Sequence, residues 1–151
     1  MRGVEDHRGR LAGQLQASRG LDGAHNPHGL TAAAAALKEA FTFGKLNLVV
    51  GMLREKDAEA MLRVLLDEYE EFHTEFWFTR SSSPRAVDPQ ELVELAVDLG
   101  FPEDVVHAVP QLDDAMTEAV QDAAARPEID GAVLVTGSIT VVGEARTLLG
   151  L

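Results

Sequence analysis

The chain of 151 residues contains no cysteine, which excludes a disulfide framework and any cysteine-based metal or redox centre. No apolar run approaches the roughly 20 residues that a membrane helix needs. The N-terminus carries charges with no apolar stretch behind them, so it does not read as a secretory signal. Those features make the cytoplasm the expected compartment and leave no role for a membrane. Basic residues are scarce: 13 Lys and Arg face 25 Asp and Glu, a formal charge of −12. No Lys/Arg cluster reverses that sign locally, which argues against a nucleic-acid partner and for a solvated acidic surface. His, Asp and Glu fall at no spacing that suggests a zinc site, and the sequence has no internal repeat.

What remains is ordinary for one globular domain, with 46% apolar and 25% charged residues and enough length for a proper core. Residues 1–20 are rich in Arg, Gly, Gln and Ser without sustained periodicity, and are expected to be loosely ordered. Residues 27–43 have high helix propensity, with Gly44 as a stop. The apolar run Leu46-Asn47-Leu48-Val49-Val50-Gly51-Met52-Leu53 is of the buried-strand type. Asp57 opens a second helix with Met61, Leu62, Leu65 and Leu66 on one stripe, and residues 72–78 read as another strand.

Asp88-Pro89-Gln90-Glu91 predicts a capping box with proline at the first helical position, and that helix stops at Gly100. A short strand over 105–109, a helix over 112–125 and a buried strand over 131–136 follow, with residues 139–149 as a closing helix or turn. This alternation predicts a three-layer α/β fold, a mainly parallel sheet with helices on both faces. Ligands in such folds gather at the C-terminal ends of the strands. Residues 22–26, 51–57 and 136–138 are therefore expected to converge on one edge.

The string Asp22-Gly23-Ala24-His25-Asn26-Pro27 brings polar chemistry and small residues to the start of a helix. Pro27 suits the first turn and Asn26 is a good cap. Helix N-termini favour anions such as phosphate, although a capped helix start with an exposed loop histidine has the same residues. Lys56, in Arg54-Glu55-Lys56-Asp57, suits a carboxylate or phosphate, or is one of a solvated charge cluster. Ser138 follows a buried strand in Thr136-Gly137-Ser138, a turn that needs no ligand to explain it. Arg80 and Arg85 are loop arginines to which no role is assigned, and His73 and His107 read as packing or surface residues.

The string at 22–27, the block Leu48-Val49-Val50-Gly51-Met52-Leu53-Arg54-Glu55-Lys56-Asp57 and the block Val133-Leu134-Val135-Thr136-Gly137-Ser138 resemble one family in order and spacing. That family is the folylpolyglutamate synthase/dihydrofolate synthase group of Mur ligases, and the likeness is to its C-terminal domain, over residues 21–151. It implies a Rossmann-like Mur ligase C-terminal fold and a part in the ATP- and magnesium-dependent addition of glutamate to a reduced folate or dihydropteroate. Asp22 then meets the ribose of the nucleotide, with Asn26 beside it. His25 sits near the phosphates or acyl phosphate as the candidate catalytic residue. Lys56 and Ser138 hold the incoming glutamate. Gly9-Arg10-Leu11 echoes a family element whose arginine approaches the nucleotide.

The chain departs from the family in three places, the mildest being Glu55 where the family often has Asp. Family members carry an apolar strand before the 22–27 loop, whereas Gln14-Leu15-Gln16-Ala17-Ser18-Arg19-Gly20 is not one. A domain cut or shortened there is expected to show an exposed sheet edge and reduced stability. The phosphate-cradling motif G-x-x-x-x-G-K-[ST] also does not occur in this sequence. An N-terminal P-loop ATPase domain is the partner this implies, and the chain alone is expected to be inactive. The rival readings are a non-catalytic binding or assembly module derived from the family, and an unrelated α/β small-molecule binder.

Overall fold

The computed structural model describes residues 31, 34, 35, 45–54, 57–69, 73–125, 131–148 and 150. Among the described residues, four strands alternate with helices: β1 (Lys45–Gly51), α1 (Ala58–Tyr69), β2 (Thr74–Phe78), α2 (Pro89–Leu99), β3 (Val106–Ala108), α3 (Leu112–Ala125), β4 (Gly131–Gly137) and α4 (Ile139–Leu148). The sheet order is β3-β2-β1-β4 and every pairing is parallel. The first two crossovers step outward from β1, and the third carries the chain back to the opposite side of β1. That reversal makes the C-terminal ends of β1 and β4 a topological switch point, where α/β sheets open a crevice.

Alternate side chains of each strand enter different layers. Leu46, Leu48, Val50, Phe76, Phe78 and Leu134 pack with Met61, Leu62 and Leu65 of α1 and Leu92 and Ala96 of α2. On the other face, Val49, Trp77, Val133 and Val135 pack with Leu112, Ala115, Met116, Ala119 and Ala123 of α3 and Val141 and Ala145 of α4. The three-layer parallel architecture expected from the alternation is the one observed. Leu48, Val49 and Val50 are all fully buried, which is why β1 reads as an unbroken apolar run rather than an alternating one.

Local signals set several element ends. Asp57 accepts from the Ala60 amide at 3.0 Å and starts α1. Asp88 caps α2 through the Gln90 amide at 2.9 Å. The capping-box expectation differs in its fourth residue, because Glu91 faces Arg54 at 3.5 Å. Gly100, at φ 113°, ends α2 with its amide on Val97 and the Phe101 amide on Ala96, a left-handed turn that suits glycine. Phe101 then folds back edge-on to Phe76, with centroids 4.9 Å apart. The strand expected at 105–109 is shorter: Glu103–Val105 is a 3-10 turn and only Val106–Ala108 joins the sheet.

Tyr69, the only tyrosine of the chain, is 1% exposed. Burial, reinforced by the neighbouring Glu68 charge, holds its phenol well above its ordinary value. A phenol whose folded pKa is raised favours the native state below its unfolded pKa of about 10, and that contribution is lost as pH climbs from there towards the folded value. Stability to urea is therefore expected to fall above about pH 10, with tyrosinate absorbance rising only as the protein unfolds. A non-cooperative titration near pH 10 in the native protein would contradict the burial.

Candidate functional site

The C-terminal edge of the sheet is drawn together around Gly51 and Gly137, which face each other in register at the ends of β1 and β4. Gly137 adopts φ 111°, and the chain then enters α4. The Ser138 amide donates to the Gly51 carbonyl at 2.8 Å. Thus the start of α4 is attached directly to the end of β1, and the two blocks expected at 51–57 and 136–138 converge as far as they are described.

Ser138 is the N-cap of α4: its Oγ accepts from the Val141 amide at 3.2 Å, and its carbonyl accepts from Val142 at 3.2 Å. At 3% exposure it is a buried hydroxyl with a structural task. A chain of hydroxyls continues from it, with Ser138 Oγ 3.0 Å from Thr140 Oγ1 and Thr140 Oγ1 3.1 Å from Ser81 Oγ. Since Ser138 already accepts an amide proton, its own single proton is what it can offer, to Thr140 or to a ligand. The remaining candidates, Arg10, Asp22, His25, Asn26 and Lys56, lie outside the described residues.

Next to this edge is an open cleft of about 720 Å³ between residues 80–86, the start of α3 and the second half of α4. Its lining is mainly polar, including Arg80, Ser82, Gln111, Asp113, Glu144 and Thr147. Glu144 spans its inner margin, accepting from the Ser82 amide at 3.0 Å and from Ser82 Oγ at 2.6 Å. Sequence reasoning missed Ser81, Ser82, Thr140 and Glu144 as site-forming residues. The partners Ser82 and Glu144 are 62 positions apart, and nothing in either local string signals the pairing.

The opposite margin of the same loop is tied to the segment after β1. The Arg54 amide donates to Arg85 at 2.8 Å and the Val87 amide to Met52 at 2.9 Å, with an antiparallel bridge between Leu53 and Ala86. The sheet edge thus has three connections braced against one another: after β1, after β2 and after β4.

At the N-terminal half of the sheet, a separate polar group lies on the α3 face. Lys45 Nζ is 2.8 Å from Asp122 and 3.7 Å from Glu75, and His107 Nε2 is 2.6 Å from Glu75 Oε2. The His107 ring stacks on Trp77 at 4.3 Å, which fits the packing role expected of it. Among the described residues, no cluster of three His, Cys, Asp or Glu side chains could hold a metal ion, and no helix is long and apolar enough to cross a membrane.

Comparison with known proteins places this architecture. Dihydrofolate synthase/folylpolyglutamate synthase of Mycobacterium tuberculosis is 37% identical over 139 residues, which are 86% of this chain and 28% of the relative. A probable bifunctional folylpolyglutamate synthase/dihydropteroate synthase of Halobacterium salinarum is 34% identical over 127 residues, 84% of this chain and 14% of the relative. The solved structure of Mycobacterium tuberculosis folylpolyglutamate synthase complexed with ADP and AMPPCP superimposes with a TM-score of 0.72 at 36% identity, over 84% of this chain and 28% of that one. The chain therefore spans less than a third of the length of either curated relative. The family model for the Mur ligase glutamate ligase domain matches residues 9–139. That match takes in Ser138 and the whole of the described sheet, and the chain belongs to the Mur ligase, glutamate ligase domain family.

Proposed function

We propose that this chain is the C-terminal domain of an ATP-dependent amide ligase that adds glutamate to a folate, working in the cytoplasm with an N-terminal P-loop ATPase domain. The observation that carries the reading is the family match over residues 9–139, joined to a sheet whose β1 and β4 ends meet at Gly51 and Gly137. In the reaction, the folate carboxylate attacks the γ-phosphorus of ATP, ADP leaves, and an acyl phosphate forms. The amine of glutamate then attacks the acyl carbon, phosphate departs, and the amide remains. This chemistry has little covalent work for the protein, so positioning and charge complementarity dominate.

This domain's share is to close on the nucleotide and to present the amino acid. Asp22 accepts hydrogen bonds from the ribose diol, with Asn26 and Arg10 on the nucleotide side. His25 lies by the phosphates or acyl phosphate. Lys56 provides an ammonium for the incoming glutamate, and Ser138 offers its one free proton to a carboxylate at the α4 N-terminus, where the helix dipole favours an anion. Magnesium would be held by the P-loop domain rather than by this chain, and would neutralise charge on the transferred phosphoryl group.

The test joins this chain behind the N-terminal domain of the Mycobacterium tuberculosis relative and measures ADP release dependent on both glutamate and dihydropteroate or reduced folate. Release is expected from the fusion and not from the chain alone. Asp22→Ala in the fusion is expected to raise the KM for ATP roughly ten- to a hundredfold, the worth of one charge-assisted hydrogen bond, with kcat less affected. An unchanged KM would remove Asp22 from the nucleotide site.

A second reading is a non-catalytic module that kept the fold for binding or assembly. Nucleotide titration separates the two. A detached half-site binds ATP weakly and Asp22→Ala abolishes that binding, whereas a module with another task has no such dependence.

A further inference from the structure

The loop of residues 81–87 is held on both margins by elements that carry the proposed substrate site. On one side Glu144 of α4 accepts from both donors of Ser82, at 3.0 Å from its amide and 2.6 Å from its hydroxyl, while Ser81 Oγ meets Thr140 Oγ1 at 3.1 Å. On the other side Arg54 and Val87 exchange amide bonds with the loop and the β1–α1 connection. Left to itself, a Ser-Ser-Ser-Pro segment has competing local bonds. Two of them are present, Ser83 amide to Ser81 Oγ at 3.3 Å and Arg85 amide to Ser83 Oγ at 3.2 Å. Such turns permit several loop shapes. A carboxylate that needs the amide and hydroxyl of one serine aimed at the same point admits few of them, and charge-assisted bonds are about twice as strong as neutral ones.

We propose that Glu144 is a positioning residue for the incoming amino-acid substrate: by pinning the β2–α2 loop to α4, it sets the spacing between the β1–α1 connection and the α4 N-terminus. The proposal rests on the ligase reading for its substrate, and its structural half stands without it. Glu144 acts through the loop and does not touch the reacting atoms. Its loss lets residues 81–85 relax, and the Arg54–Arg85 pairing relaxes with them. Core strands are unaffected, because Glu144 makes no bond to them.

Two measurements test this. In the chain itself, amide hydrogen exchange in Glu144→Ala is expected to quicken roughly tenfold at Ser82, Arg54 and Val87, while Leu48 and Phe76 keep their protection. Glu144→Gln can still accept the Ser82 amide and donate to Ser82 Oγ, and is expected to restore slow exchange. Quickening confined to Ser82, or spread evenly over the core, overturns the coupling. In the fusion enzyme, Glu144→Ala is expected to raise the KM for glutamate roughly tenfold with kcat and the KM for ATP within about twofold, again rescued by Gln. A uniform loss in all three constants would make Glu144 a stabilising residue only. If the wild-type fusion is inactive, the ligase reading fails, and the exchange result still decides whether Glu144 sets the geometry of this edge.

Discussion

Gly137→Ala is expected to cost roughly 3–5 kcal/mol, from backbone strain and overpacking together. Two independent effects add at this position. Its φ of 111° lies where L side chains are strained, and a Cβ built there would sit 2.1 Å from the Gly51 carbonyl oxygen. That oxygen cannot rotate aside, because it belongs to β1 and accepts the Ser138 amide at 2.8 Å. Relief requires the ends of β1 and β4 to separate, which also removes the bond that starts α4. Gly51→Ala is the informative contrast. Its Cβ would meet the Val141 side chain at 3.0 Å and the Thr79 carbonyl at 3.4 Å, at a backbone conformation without a positive φ. Overpacking against a side chain that can shift costs about 1–3 kcal/mol. Urea denaturation followed by far-UV circular dichroism ranks the two. A Gly137→Ala protein as stable as wild type would mean that the strand ends do not approach this closely.

The second large effect concerns Trp77, the only tryptophan. It packs against α3 on the second face of the sheet and donates from Nε1 to Asn47 Oδ1 at 2.9 Å. Trp77→Ala opens a cavity and is expected to cost about 3–5 kcal/mol. Trp77→Phe keeps most of the apolar volume but leaves the Asn47 carbonyl oxygen without its donor, in a layer closed to water. Asn47 is fully buried, and its Nδ2 already has no hydrogen-bond partner among the described residues. An unsatisfied buried acceptor costs about 1–3 kcal/mol, so Trp77→Phe is expected to fall in that range. Replacing both partners removes the unmet demand, and Asn47→Leu with Trp77→Phe is expected to be more stable than Trp77→Phe alone. Denaturation midpoints read by circular dichroism complete the cycle. Strict additivity of the two substitutions would show that the pair is not coupled.

Much of the fold was legible because its signals are local. The helix over 112–125 was read at its observed limits, since an alanine-rich amphipathic run bounded by Pro110 and Pro127 leaves little choice. Asp88 and Pro89 announced the start of α2, and Gly100 its end, for reasons contained within four residues. Strand β4 was evident from Gly131-Ala132-Val133-Leu134-Val135-Thr136 running into a Gly-Ser turn. Two details differed: the strand expected at 105–109 gave up its first residue to a 3-10 turn, and Glu91 left the capping box for the competing charge of Arg54 from another connection.

The candidate site was legible only in part. Sequence marked Ser138 from a family string, but not that its hydroxyl is buried as a helix cap, nor that Thr140 and Ser81 extend it into a chain. Those facts depend on β2 and β4 lying on opposite sides of β1, with α4 packed on β4 and bonded to the loop after β2.

By itself, then, the sequence determined the class of fold, most element ends and the family, and it set the expectation that the blocks after β1 and β4 meet at one edge, because periodicity, caps and motif strings act over a few residues. Only the tertiary structure decided that Gly51 and Gly137 touch, that Trp77 finds Asn47, and that Glu144 grips Ser82. Each of those contacts joins residues 30 or more positions apart, and their geometry exists only after the strand order and register are set. Parallel crossovers separate neighbours in space by whole helices in sequence, so no local pattern records who will meet.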